Sequence, residues 1–153
     1  TVNLSRDVYS AATVAAVGVA AHECGHAIQH ANGYVPLRIR NAIIPATQIG
    51  SNLAMPLFFI GLIFSFPSLM YAGILLFATV TLFQLVTLPV EYNASSRAAN
   101  VLADSGMVSR EEETGVRRVL SAAALTYVAA LAVSLANLLR LLALAGGRRG
   151  GRN

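Results

Sequence analysis

The chain contains no lysine and no tryptophan, a single cysteine, and little charge: Asp, Glu, Lys and Arg together make up 12% of its 153 residues. An ordinary soluble domain carries roughly 25%. Each shortage excludes something. With Cys24 alone, no intrachain disulfide can form, and the redox compartment stays undecided. All 11 basic residues are arginine, and no basic stripe interleaved with aromatics runs through them. The net charge of +4 therefore reads as membrane-flanking charge, and nucleic acid is excluded as a partner. The low charge has its counterpart in 56% hydrophobic residues, too many for the core of a soluble domain this small. The lipid bilayer is the partner this composition calls for. The length suits a single domain, 1–153. The residues given begin at Thr1 without a methionine, which fits either a processed chain or a fragment, and carry no signal-peptide pattern.

What is abundant is long, uncharged, apolar sequence. Residues 42–66 and 69–90 each exceed the roughly 20 residues needed to cross a bilayer, with a turn at Ser65–Ser68 between them. They predict a helical hairpin with an uncharged tip. Pro45 and Pro56 are expected to kink the first span, and Gln48, Ser51 and Asn52 to face protein or water. A third span is expected over 119–139, where Ala122, Ala123, Ala129, Ala130 and Ser134 favour close helix packing. Ser109 and Glu112 form an S-x-x-E capping box ahead of it. Thr1–Leu4 alternates, which fits either a short edge strand or a frayed terminus. The Gly/Arg-rich tail, 146–153, is expected to be disordered. The fold class is all-α: a polytopic membrane helical bundle.

One stretch carries chemistry. His22–Glu23–Cys24–Gly25–His26 reads H-E-x-x-H within an Ala-rich run predicted to be helical from a cap at Ser5 or Ser10 to Ala31, with Asn32–Gly33 as its stop. Residues four apart share a helix face, so both imidazoles can reach one ion. Glu23 lies about 100° round the helix, where it can border that site as a general base toward zinc-activated water. The plainer alternative is a helix with two buried, hydrogen-bonded histidines. Cys24 lies about 200° from His22, which predicts a packed thiol rather than a ligand.

A catalytic zinc wants three protein ligands and one open position. Two crossings separate His26 from Glu91, which returns the chain to the face it left. Glu91 is the sole acidic residue between Glu23 and Asp104 and sits directly beside a span, so it needs a partner. It is the candidate third ligand, against the alternative of an interfacial glutamate paired with arginine. His30, one turn beyond His26, is a neighbour of the site rather than a ligand. Asn93, Arg97 and Tyr127 are candidate oxyanion stabilisers.

The runs A-A-H-E-C-G-H-A-I-Q-H-A, G-Y-V-P-L, L-P-V-E-Y-N-A-S-S-R-A and A-A-A-L-T-Y-V-A-A-L resemble the YugP-like bacterial membrane zinc metallopeptidases, from about Val2 to Leu142. That resemblance implies a further N-terminal membrane helix and a short strand-bearing region. More distantly, the layout is similar to the gluzincin membrane proteases, in which a glutamate on a later helix is the third ligand; Glu91 matches that position. Ser95 stands where the wider group has an aspartate that orients a ligand histidine. A serine there shares the face of Glu91 and can still hydrogen-bond, without charge.

The expected function is therefore a membrane-bound, zinc-dependent endopeptidase. Zn²⁺ is held by His22, His26 and Glu91, Glu23 is the base, and the substrate is a peptide or protein, soluble or membrane-embedded. A non-catalytic zinc-binding scaffold is the alternative, and the intact Glu23 argues against it. An apolar channel or transporter subunit would place ionisable residues within 42–90, and there are none. Arg6, Arg38, Arg40, Arg97, Arg110, Arg117 and Arg118 fall on the zinc side of the hairpin, against Arg148, Arg149 and Arg152 opposite. The positive-inside tendency then places the site at the cytoplasmic face.

Overall fold

Apolar runs that cannot leave backbone groups unpaired in lipid have one local solution, the helix, and helices are what the sequence forms. The computed structural model describes the backbone of residues 1–150 and the side chains of residues 1–147. Among the described residues there are α1 (Arg6–Ser10), α2 (Val14–Ala31), α3 (Val35–Ile63), α4 (Pro67–Ser105) and α5 (Arg110–Gly150), and no strand. Thr1–Leu4 has no regular structure, so the edge strand is not formed.

The helix ends follow local chemistry. Ser5 caps α1 and Thr13 caps α2, each side chain accepting from the backbone N–H three residues on. The predicted single helix is thus two, broken at residues 11–13. Gly33 takes a left-handed conformation, φ 60°, which costs glycine nothing. Beyond it the Tyr34 N–H reaches back to the Gln29 carbonyl at 3.0 Å, as in a Schellman stop. α3 ends in the same way: Ser65 has φ 59°, and Phe66 N–H bonds the Gly61 carbonyl at 2.9 Å. The capping box at α5 forms as predicted, with Ser109 N–H on Glu112 Oε2 at 2.8 Å and Glu112 N–H on Ser109 Oγ at 3.2 Å.

α3, α4 and α5 are all long and apolar enough to cross a membrane, and only 28%, 22% and 17% of their most apolar windows are buried. Their outward faces, with Ile49, Leu53, Phe59, Leu75, Leu82 and Val133 exposed, suit lipid rather than water. The helices outrun the predicted spans. α3 is continuous through Pro45 and Pro56, so neither proline breaks it. Gln48, Ser51 and Asn52 are exposed. α5 continues through Gly146–Gly150 instead of fraying at Gly146. Extending an existing helix needs no new nucleus. Residues 151–153 of the expected tail lie outside the described residues.

The chain divides into two compact units. One comprises Thr1–Arg38 and Thr87–Val128 and packs α2 against parts of α4 and α5, around Ala98, Ala99, Leu102, Val116 and Leu120. The other comprises Ile39–Val86 and the chain from Ala129. It joins the remaining parts of α3, α4 and α5 around Phe58, Met70, Ile74, Leu141 and Ala145. In this second unit α3 and α4 form the expected antiparallel hairpin. They touch so closely that a Cβ on Gly73 would lie 2.6 Å from the Ala54 carbonyl oxygen.

Candidate metal centre

The stripe of α2 that packs inward holds Ala16, Gly18, Gly25 and Gln29, with His22 and His26 half-buried beside it. It meets α4 at the backbone. A Cβ on Gly25 would collide with the Ala94 carbonyl, so glycine is what allows the two helices to approach this closely. That approach brings the H-E-x-x-H motif onto the turn of α4 that carries Glu91.

There, His22, His26 and Glu91 each offer one ligand atom, all within 4.8 Å of one another. The Glu91 carboxylate is 2% exposed. Its Oε2 lies 3.0 Å from His22 Nε2 and 3.4 Å from His26 Nε2. Ligands about 2.0–2.1 Å from a tetrahedral zinc are about 3.3–3.4 Å apart, close to both of these carboxylate–imidazole separations. The two rings meet edge to face, with centroids 4.7 Å apart at 84°.

The far nitrogens decide what the near ones can do. His26 Nδ1 is 3.0 Å from Gln29 Oε1. The orientation of that amide follows from its other end, where Gln29 Nε2 donates to the Val90 carbonyl at 2.8 Å and to Asn93 Oδ1 at 3.0 Å. Oε1 is therefore the acceptor, the hydrogen-bond network places a proton on Nδ1, and in the neutral ring Nε2 then presents its lone pair toward Glu91. A lone pair facing a carboxylate oxygen is a pairing that a cation satisfies. His22 Nδ1 is 3.0 Å from Ser95 Oγ. A hydroxyl can accept as well as donate, so Ser95 supports His22 with its proton on either nitrogen. Ser95 is thus the histidine partner that the aspartate would have been, with a neutral hydrogen bond in place of a charged one.

Behind Gln29 the network continues. Arg97 Nε donates to Asn93 Oδ1 at 2.8 Å, and the Arg97 guanidinium lies 5.8 Å from the centre of the Tyr34 ring, within cation–π range. The turn after α2 is thereby tied to α4. Asn93 and Arg97, expected as oxyanion donors, are engaged in holding Gln29. Tyr127 is half-buried on α5.

Residues 1–146 match the family described as "Putative neutral zinc metallopeptidase". The chain belongs to this family. It is 48% identical over 139 residues, 91% of its own length, to "Putative membrane protease YugP" of Bacillus subtilis (strain 168). It spans 62% of the length of that relative. No solved structure matches it. Family membership names zinc as the metal, and the N, N, O donor set above fits it. The relative's name and the three apolar helices together support a membrane protein.

The remaining expected residues fall as follows. Glu23 is half-buried next to His22 and is not one of the three converging groups. His30 is exposed and outside the cluster, as its extra turn predicts. Cys24 is also outside the cluster, but it is exposed rather than packed. The reason is that Gly25, the next residue, occupies the packed stripe. Gln29 went unnoticed in the sequence. Its signal was there: it continues the His22, Gly25/His26 face at i+7, an uncharged polar residue on an otherwise small or ligating stripe. Flanking the centre, Tyr92, Ser95, Ser96, Arg117 and Ser121 line a cleft of about 280 Å³ between α4 and α5.

Proposed function

We propose that the chain is a membrane-bound zinc endopeptidase that hydrolyses peptide bonds at His22, His26 and Glu91. The observation that carries this is the convergence of the two Nε2 atoms on the buried Glu91 carboxylate. When bound, zinc supplies Lewis acidity toward a scissile carbonyl and lowers the pKa of water toward about 7. The chain supplies the rest. Ser95 and Gln29 fix the rings so that both Nε2 atoms face the ion. Glu23 takes the proton from the attacking water and hands it to the leaving amine. The hydroxyl-rich cleft bordered by Ser95 supports a peptide or protein substrate, of which it would take one side chain.

Glu23→Gln tests the reading. The purified wild type and variant should each hold one zinc, and only the wild type should cleave casein or a peptide library. A variant that cleaves at near wild-type rate removes Glu23 from the base role. If both hold zinc and neither cleaves, the protein is a zinc-binding scaffold.

We further propose that the site opens at the cytoplasmic face. The arginines near the zinc side support this, since Arg38 and Arg40 precede the first span and Arg117 and Arg118 the third. Single cysteines at Ser68 and Ser109, in a Cys24→Ser background, report it. In intact cells a membrane-impermeant thiol reagent should label position 68 and spare 109. The reverse pattern places the site outside.

A further inference from the structure

Threonine hydroxyls inside helices usually return to a carbonyl of their own helix. Here Thr47, Thr79, Thr81, Thr114 and Thr126 all do so, to the carbonyl three or four residues back, at 2.6–3.3 Å. Thr87 does not. It is 3% exposed, and its Oγ1 is fully buried without a hydrogen-bond partner. Buried polar groups are rarely left in this state, because an unmade bond costs the full desolvation of the group.

Its position says what the hydroxyl serves. Thr87 stands four residues before Glu91 in α4, so the two are stacked on one face with Cβ atoms about 5–6 Å apart. Side chains on a helix lean toward its N-terminus, so the Glu91 side chain leans back over the turn that holds Thr87. Glu91 uses Oε2 toward both imidazoles. A carboxylate that binds a metal through one oxygen is ordinarily hydrogen-bonded through the other. Threonine χ1 has two populated wells in a helix, so the donor can be turned without moving the backbone.

We infer that Thr87 is a positioning residue for the metal ligand Glu91: its hydroxyl donates to the second carboxylate oxygen, Oε1, when Oε2 holds the ion. It stands beside Glu91 as Ser95 does beside His22 and Gln29 beside His26. The inference rests on the metal-site reading above.

The test uses the full chain in detergent, stripped of metal and titrated with zinc against a chelator, in the wild type, Thr87→Val, Thr87→Ser and His22→Ala. Thr87→Val keeps the shape and removes the donor. It should weaken zinc 10–100-fold and shift the visible spectrum of the cobalt(II)-loaded protein, while the metal-free protein melts at the same or a higher temperature because an orphaned polar atom is gone. Thr87→Ser should restore the affinity and the spectrum. Wild-type zinc affinity in Thr87→Val overturns the inference. So does a variant whose metal-free melting temperature and zinc affinity fall together without rescue by serine, since that is a packing role. His22→Ala separates the two readings: if it binds zinc as the wild type does, the metal site itself is misplaced.

Discussion

The two compact units each pack around an apolar core, and they differ in the polar groups buried beside it. In the unit of Ile39–Val86 and the chain from Ala129, the core is Phe58, Met70, Ile74, Leu141 and Ala145. One buried polar contact joins two of its helices, Thr81 Oγ1 to Ser134 Oγ at 2.8 Å. In the unit of Thr1–Arg38 and Thr87–Val128, a larger polar cluster is buried beside the apolar core. Glu91 and Gln29, 2% and 0% exposed, hold two histidines in a connected hydrogen-bond set. Both units use a glycine to bring backbones together, Gly73 against Ala54 and Phe58, Gly25 against Ala94. The first closes an apolar seam that hydropathy alone requires. The second sets the register of a polar site, where a shift of one residue would separate ligand from ligand.

This contrast can be broken in several places. The largest effect is expected from Glu91→Ala, which removes one of the three proposed ligands. Zinc content of the purified protein should collapse and hydrolysis should fall to background, while wild-type zinc content would send the search for a third ligand to His30. Next comes the glycine pair. Gly25→Ala and Gly73→Ala each push a methyl group into backbone, and each should cost about 1–3 kcal/mol of stability. Only Gly25→Ala should also weaken zinc; equal zinc affinity in the two variants would mean that close approach does not set the site. Gln29→Leu should lower zinc affinity 10–100-fold, the usual cost of losing a partner behind a ligand histidine, as read by chelator competition. Thr81→Val should cost about 0.6 kcal/mol, typical of an interhelical hydrogen bond in a membrane protein, and leave zinc untouched. Cys24→Ser, on the exposed side of α2, should change neither stability nor metal.

The apolar unit was legible because its information is compositional. Uncharged runs of sufficient length and a turn at Ser65–Ser68 suffice to draw it, and the structure differs from that drawing at the helix ends, with α5 running on to Gly150. Periodicity cannot say where a helix frays, because the cost of one more turn is small. In the other unit the converging groups were legible, since H-E-x-x-H puts His22 and His26 on one helix face and Glu91 stood alone among apolar neighbours. What supports the ligands was harder to read. Ser95 was visible only as a residue four on from Glu91. Gln29 and Thr87 are ordinary polar residues until α2 is set against α4, and which hydroxyl or amide becomes buried depends on that contact rather than on either helix. Cys24 shows the same limit in reverse: its angle from His22 was right, yet nothing local said that Gly25 would take the packed position beside it.

X-ray absorption at the zinc edge of the loaded wild-type protein tests the metal centre most directly. Two imidazole nitrogens and carboxylate oxygen predict only light scatterers in the first coordination sphere, at about 2.0–2.2 Å, with the outer-shell pattern of two histidines. A scatterer near 2.3 Å, the distance of a thiolate, or the pattern of three histidines, would contradict the assignment of His22, His26 and Glu91.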